Sequence, residues 1–329
     1  MSTSTLTAKV RTLKGPSLVL LRLHRRILWM AGAAVAVGIA GLITLGLLAD
    51  QAIADFADAG CTLTSSAESC FQPARDYSDR MIRIHRSLMY AGLALMALPA
   101  FVGAFLAGPV IAKEWETGTI KLSWTQSTSP SAWLAARLAT LVVPVVGGIV
   151  VLSAAFSWAR SRLDYPFPAT WEDPSAFGAT GTVPVASALL ALALGALTGL
   201  LLRRTVPALV VALLGSMVVT FTLGMVRDHL WPMVKTTYPL GGSFPVPKWA
   251  YVIEQGYATA DGDPFPVDIC VESVDFEGCL AGHDGLQNYV HYHPASHYWP
   301  LQLVETGILL ALAALAAFAA FRVLRRLHG

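Results

Sequence analysis

The chain has 329 residues, of which 55% are hydrophobic and only 13% are charged, with a mean hydropathy of +0.57. Soluble domains carry about 25% charged residues, so a soluble fold of this size would lack the residues to cover its surface. The composition therefore excludes an ordinary soluble protein. It predicts an all-α integral membrane protein.

The apolar residues are gathered in six blocks, each long enough to cross a hydrocarbon core about 30 Å thick. The first 26 residues are polar and basic, and the apolar block after them is long enough to span, so we expect the first span to stay in the mature protein. The predicted spans are 28–48, 88–111, 138–158, 184–202, 206–226 and 301–322.

The distribution of charge predicts which side each loop faces. With both termini in the cytoplasm, the inside segments hold fourteen Lys and Arg against two acidic residues. The outside segments then hold nine basic and eighteen acidic residues. Because short cytoplasmic loops are enriched in Lys and Arg, this is the favoured orientation. It predicts an amphipathic cytoplasmic segment at 1–27, five spans within 28–226 with a cytoplasmic loop at 112–137, an extracytoplasmic loop domain at 227–300, and a last span with a cytoplasmic tail at 301–329.

All four cysteines lie in the predicted outside loops, in two pairs that are each nine positions apart. An even number of cysteines in such loops indicates two disulfides in an oxidising compartment. Three connectivities are possible. Pairing within each loop is favoured, because short loops are cheap to close. The favoured bonds are Cys61–Cys70 and Cys270–Cys279.

The longest cytoplasmic loop contains the only two cytoplasmic acids, Glu114 and Glu116, followed by Gly118 between two threonines. Gly118 predicts a turn after the second span. A loop with acids, a sharp turn and aromatic side chains has the chemistry of a docking surface for a soluble partner. A plain connecting loop has the same composition.

Residues 108–139, GPVIAKEWETGTIKLSWTQSTSPSAWLAARLA, resemble the Glu-x-Glu-x-Gly-Thr region of type-2 ABC transporter permeases. The resemblance extends to LLRRTVP at 201–207 and to YHPASHYWPLQLVE at 292–305, and to the order of the six spans. It implies a bacterial exporter subunit in the cytoplasmic membrane. It also implies that one group of residues couples the spans to an ATP-binding subunit: Glu114, Glu116, Thr117, Gly118 and Thr119.

The same resemblance implies that the chain works as a permease dimer, as a homodimer or with a related permease, and that ATP and Mg²⁺ are bound by the partner subunit. This agrees with the sequence, which has no Gly-rich phosphate-binding loop. We therefore expect a transport subunit without catalytic residues or cofactors of its own. The expected contacts are with membrane lipid and the ATP-binding subunit, and none is with nucleic acid.

Other side chains are candidates for the substrate path or for an outer site. Glu305 is the one carboxylate within a predicted span and follows Gln302 by three residues, and intramembrane ionisable groups are often functional. Arg83 and Arg86 belong to a basic stripe that predicts an outward extension of the second helix. An alternative interpretation is an outer-face ligand-binding sensor or assembly protein. A weaker one is a metal-dependent membrane enzyme with nitrogen ligands from His291, His293 and His297.

Overall fold

The computed structural model describes residues 25–118, 129–164, 166–168, 170–259, 261–266, 268–271, 273–283 and 286–328. Within these residues, six helices are long and apolar enough to span a membrane, which confirms the predicted fold class. The predicted amphipathic segment at 1–27 lies almost wholly outside the described residues, as does Thr119 of the predicted coupling group. The six candidate spans are Trp29–Asp58, Glu68–Glu116, Pro130–Arg160, Val183–Leu202, Thr205–His229 and Ala295–Leu327.

The helices, in chain order, are α1 Arg25–Asp58, α2 Glu68–Val102, α3 Gly108–Glu116, α4 Pro130–Arg160, α5 Pro174–Ala179, α6 Val183–Leu202, α7 Thr205–Val226, α8 Asp268–Val271, α9 Phe276–Ala281 and α10 Tyr298–His328. A π-helical segment, Gly103–Ala107, joins α2 to α3, so these three elements form one span. Short 3₁₀ turns cover Arg227–His229 and Ala295–His297. We call the end of the bundle where α3 and α6 finish the Glu116 end, and the opposite end the sheet end.

Helix α6 lies at the centre of the bundle and is buried along most of its length. It packs closely against the second span because both helices have only glycine and alanine at the contact. A Cβ atom placed on Gly195 would lie 2.4 Å from the carbonyl oxygen of Gly103, and one on Gly103 would lie 2.3 Å from the carbonyl oxygen of Ala191. Small residues allow this approach between membrane helices. The contact therefore fixes the second span against the centre of the protein.

Substitution of Gly195 by leucine should prevent this packing, because the new side chain would overlap the backbone of the π segment. We expect loss of the folded protein or a large fall in its unfolding temperature, since overpacking costs about 1–3 kcal/mol or more. Gly224→Leu is the control, because a Cβ at Gly224 meets nothing within 4 Å. Thermal unfolding in detergent, followed by intrinsic fluorescence, compares the two variants. Equal stability would contradict the packing.

The first predicted outer loop, 49–87, is largely helical, which corrects the sequence interpretation of it as a loop. Helix α1 continues to Asp58 and α2 begins at Glu68, so only 59–67 connect them. The rings of Phe56 and Tyr77 stack with centroids 4.6 Å apart, and Met81 is fully buried against α1 and α4. The outward extension of the second helix is confirmed, and it forms an antiparallel helical hairpin with α1.

Both favoured disulfides are present, Cys61–Cys70 at the tip of this hairpin and Cys270–Cys279 in the predicted outer domain, 227–300. Cys61→Ser with Cys70→Ser should lower the free energy of unfolding by about 2–3 kcal/mol, because the short loop would no longer be closed in the unfolded chain. The result to measure is faster cleavage within 59–67 by a protease of broad specificity. Cys270→Ser with Cys279→Ser is the control and should leave this cleavage unchanged. Cleavage at the wild-type rate in the hairpin variant would contradict the prediction.

The predicted outer domain, 227–300, contains a three-stranded antiparallel sheet that the sequence interpretation did not include. Its strands are β1 Val234–Pro239, β2 Tyr251–Ala258 and β3 Gln287–His293, in the order β1-β3-β2. The pairing of β2 with β3 shifts between Val252 and Glu254. The central strand β3 leads through one 3₁₀ turn directly into α10. The sheet is therefore connected to the sixth span by only a few residues.

Candidate coupling site

Helix α3 ends in a tight cap at the Glu116 end of the bundle. Gly118 has φ +69°, in the left-handed region that glycine adopts without a steric penalty, and its N–H donates to the carbonyl oxygen of Trp115. The N–H and the hydroxyl of Thr117 both donate to the carbonyl oxygen of Lys113, at 2.9 and 2.8 Å. The turn that the sequence predicts at Gly118 is therefore present. It fixes the direction in which the three preceding side chains leave the helix.

Those three side chains, of Glu114, Trp115 and Glu116, contact three different parts of the bundle; we call them the clamp. Glu114 forms an ion pair with Arg137 of α4. Trp115 makes a cation–π contact with Arg203, whose guanidinium carbon lies 4.8 Å from the centroid of the ring. Glu116 accepts hydrogen bonds from Thr205 of α7. The second span is thus held at its end to α4, to the end of α6 and to the start of α7.

Glu116 caps helix α7 from a distance of 89 residues in sequence. Its carboxylate accepts the backbone N–H of Thr205 at 2.8 Å and the Thr205 hydroxyl at 2.7 Å. The first N–H groups of a helix have no partner within the helix, and its N-terminus carries a partial positive charge, so a carboxylate there satisfies a donor and stabilises the helix dipole. Arg204, which precedes the helix, makes no side-chain cap. The cap of α7 therefore comes from the second span.

The junction between α6 and α7 is strained. Arg203 has φ +52°, although it is not glycine, and this conformation costs about 1–2 kcal/mol. It allows the chain to reverse between two spans within two residues, and the contact with Trp115 holds the arginine in place. The end of α3 therefore contacts the α6–α7 junction through both Trp115 and Glu116.

The predicted coupling residues differ in where they lie. Glu114 and Glu116 face the neighbouring spans, so their carboxylates hold the bundle together at this end. Thr117 and Gly118 form the helix cap. Sequence reasoning missed the partners of the clamp. Thr205 directly before an apolar block was a signal for a helix start, but nothing in the sequence indicated that Glu116 caps it.

The predicted substrate-path residues fall into two groups that are not in contact within the described part of the chain. Arg83 and Arg86 are exposed on α2. Gln302 is fully buried on α10; its oxygen accepts the N–H groups of Thr182 and Val183 at 3.1 and 3.2 Å, and so caps α6. A role for these residues in substrate transport remains a prediction.

Glu305, also on α10, pairs with an arginine that the sequence interpretation did not connect with it. The Nε atom of Arg227 lies 3.0 Å from one carboxylate oxygen of Glu305, and the guanidinium carbon lies 4.0 Å from the centroid of the Phe177 ring. The side chains of Arg227 and Glu305 are only 12% and 3% exposed. The pair ties the end of α7 to α10 at the sheet end.

Of the three histidines proposed as metal ligands, two contact each other and the third has a different partner. The Nδ1 atoms of His293 and His297 lie 2.9 Å apart, and His293 Nε2 lies 3.0 Å from the carbonyl oxygen of Asp228. His291 instead contacts Glu254. Among the described residues, the one group with the spacing of a metal site is Cys270, Cys279 and His283, whose sulfurs form a disulfide.

Beside His291, the Tyr289 hydroxyl donates to Glu254 at 2.8 Å. This hydrogen bond is the main reason why the pKa of the Glu254 carboxyl is lowered and the pKa of the Tyr289 phenol is raised. Because the carboxyl pKa is lowered, the contact stabilises the sheet at every pH above the usual pKa of a glutamate. That contribution is lost as the pH falls through the lowered pKa.

A comparison of the sequence with models of protein families found a match. A family model described as "ABC-2 membrane transporter related" matches residues 32–227, more than half of the chain. The chain belongs to this family. The ABC-2 match begins in α1, includes the whole clamp with Arg137, Arg203 and Thr205, and ends at Arg227. No curated protein and no solved structure matches the chain.

Membership of the ABC-2 family indicates a membrane permease component, which is a transport subunit. It also implies association with an ATP-binding subunit, typically as a dimer. The matched region and the six apolar helices together describe a multi-pass membrane protein.

Proposed function

We propose that this chain is the membrane-spanning permease subunit of a bacterial ABC exporter, in the cytoplasmic membrane with both termini in the cytoplasm. Two copies, or this chain and a related permease, pair with two subunits that bind and hydrolyse ATP with Mg²⁺. The excess of Lys and Arg in the segments at the Glu116 end supports this orientation. The resemblance in the clamp region supports export.

The observation that carries this proposal is the clamp. The segment after the clamp, beginning at Gly118, is the surface on which the ATP-binding subunit docks. When that subunit closes on ATP, it pushes the end of α3, and the contacts with Arg137, Arg203 and Thr205 pass the movement to three further spans. The spans then shift between two states that differ in their affinity for substrate.

The experiment is to purify the tagged chain after co-expression with its neighbouring genes, and to assay ATP hydrolysis in the purified complex. The proposal expects a stoichiometric ATP-binding subunit whose hydrolysis depends on the permease. A protein that purifies without such a subunit and without ATPase activity would overturn the proposal and favour an outer-face sensor.

Gly118→Leu should weaken the binding of the ATP-binding subunit by about tenfold, because leucine in the left-handed region costs about 1–2 kcal/mol and would redirect the chain that follows. Gly241→Leu is the matched control. Gly241 has the same φ of +69°, also has open space around its Cβ position, and lies at the sheet end. Binding is measured by titration of the ATP-binding subunit onto the immobilised permease. Equal loss in both variants would show that docking does not depend on the Gly118 turn.

A further inference from the structure

A cavity of about 420 Å³ lies between α1, the second span and α4. Its volume falls within the range of about 300–1,000 Å³ that is typical of ligand pockets. On the side of the second span, Phe105 of the π segment lines the cavity, and on the side of α4 it is lined by Pro144 and Gly148. Phe105 is 55% exposed and Pro144 is exposed as well, so the cavity reaches the outer surface of the bundle.

The lining is apolar except at one end. Arg137 and Thr140 are its two polar side chains, and both lie near the start of α4 at the Glu116 end. From Arg137 to Leu152 the lining follows fifteen residues of α4, about 22 Å at 1.5 Å per residue. A hydrocarbon core is about 30 Å thick. A lining of this length covers more than half the thickness of a hydrocarbon core.

The sequence creates this space in two ways. A π-helical turn adds a residue to the helix and redirects its side chains, and such turns are frequent at functional sites. Gly148 leaves the facing wall without a side chain: a Cβ there would have Val35 of α1 as its nearest neighbour, at 3.5 Å. Residues of α1, the second span and α4 therefore all contribute to the shape of the cavity.

We propose that this cavity binds one acyl chain of an anionic phospholipid, with the headgroup phosphate beside Arg137. A lipid tail has the length and the apolar surface to enter this cavity from the bilayer. A guanidinium has five N–H donors, and the ion pair with Glu114 is made through one terminal nitrogen, so a phosphate can bind beside the carboxylate. The anionic headgroup would then lie near the start of α4, at the Glu116 end of the bundle, with its acyl chain extending along the cavity.

Arg137 also belongs to the clamp, through its ion pair with Glu114. A phosphate beside Arg137 would therefore share the guanidinium with Glu114 and alter the contact between the second span and α4. This consequence rests on the proposed transport function, whereas the binding of lipid does not. The test below uses the permease alone, so that the failure of either proposal can be recognised separately.

The experiment uses the full chain in nanodiscs of phosphatidylcholine that contain a trace of phosphatidylglycerol with a photoreactive diazirine in the middle of one acyl chain. After irradiation, labelled peptides are mapped by mass spectrometry. The proposal expects labels on Leu98 and Val145, which line the cavity. Gly148→Leu should reduce these labels by about tenfold, the change that about 1.4 kcal/mol of lost binding produces.

Gly147→Leu is the matched control: Gly147 is exposed, a Cβ there meets nothing within 4 Å, and labelling should stay unchanged. Ala34→Leu, on the α1 wall, is a second variant that should act like Gly148→Leu if the latter does not fold. Labels spread evenly over the lipid-facing residues, and equal in Gly147→Leu and Gly148→Leu, would indicate contact with bulk lipid and overturn the proposal. Cross-links from these residues to a second copy of the chain would overturn it as well.

The headgroup is tested with diazirine-labelled phosphatidylcholine and diazirine-labelled fatty acid in the same nanodiscs. The proposal expects phosphatidylglycerol to label the cavity most strongly. Equal labelling by phosphatidylcholine would overturn the role of Arg137. Stronger labelling by the free fatty acid would overturn the assignment to a phospholipid.

Discussion

Replacing Glu116 by alanine should lower the free energy of unfolding, because the N-terminus of α7 would lose its cap together with both hydrogen bonds from Thr205. Glu116→Gln should cost less, since an amide oxygen can still accept one of the two hydrogen bonds from Thr205. The ATPase activity of the assembled transporter should fall in the same order. Unfolding is measured by thermal and chemical denaturation in detergent.

The control for the ATPase activity of Glu116→Gln is Glu254→Gln, the same change on the sheet at the opposite end of the bundle, which should leave that activity unchanged. A double-mutant cycle of Glu116→Ala with Thr205→Val separates the hydroxyl contact from other effects. Because the two residues are in direct contact, their effects should be non-additive. Additive effects, or ATPase activity unchanged in Glu116→Ala, would contradict the clamp as the coupling element.

The six spans could be predicted because each is a block of about 20 apolar residues, and such a block has few other uses in a protein. The extension of α1 could not. Asp50, Asp55 and Asp58 follow the first apolar block and read as a polar loop. In the structure Asp55 pairs with Arg80 of α2 and Asp50 with Arg162, so these charges lie on a helix and have partners far away in sequence. Pairing between helices leaves no local pattern.

The same limit applies to the coupling site. The acids and Gly118 could be recognised from the motif, and the turn from the glycine. Their partners could not, because Arg203 and Thr205 come more than 80 residues later, and the segment LLRRTVP that contains them indicated a family resemblance but no contact. The sheet was missed for another reason: its strands lie in a segment rich in Pro, Gly and aromatic residues, with β2 interrupted by a shift in pairing.

Glu305→Gln should destabilise the protein by about 3–5 kcal/mol, a larger effect than that of any exposed ion pair. The change removes the charge that balances Arg227, while the guanidinium stays buried among Phe177 and α10. Breaking a buried pair by removing one partner costs this much because an uncompensated charge remains out of water. The unfolding temperature and the denaturant midpoint in detergent are the measurements.

A double variant, Arg227→Met with Glu305→Leu, should recover most of the lost stability, because no charge then remains buried. The matched control is Asp55→Asn, which breaks the pair with Arg80, where the side chains are 49% and 63% exposed; such a pair contributes at most about 1 kcal/mol. If Glu305→Gln left stability unchanged but abolished transport, the carboxylate would act on substrate rather than on Arg227. Loss of stability that the double variant restores, together with restored transport, would instead make the pair a structural link between α7 and α10.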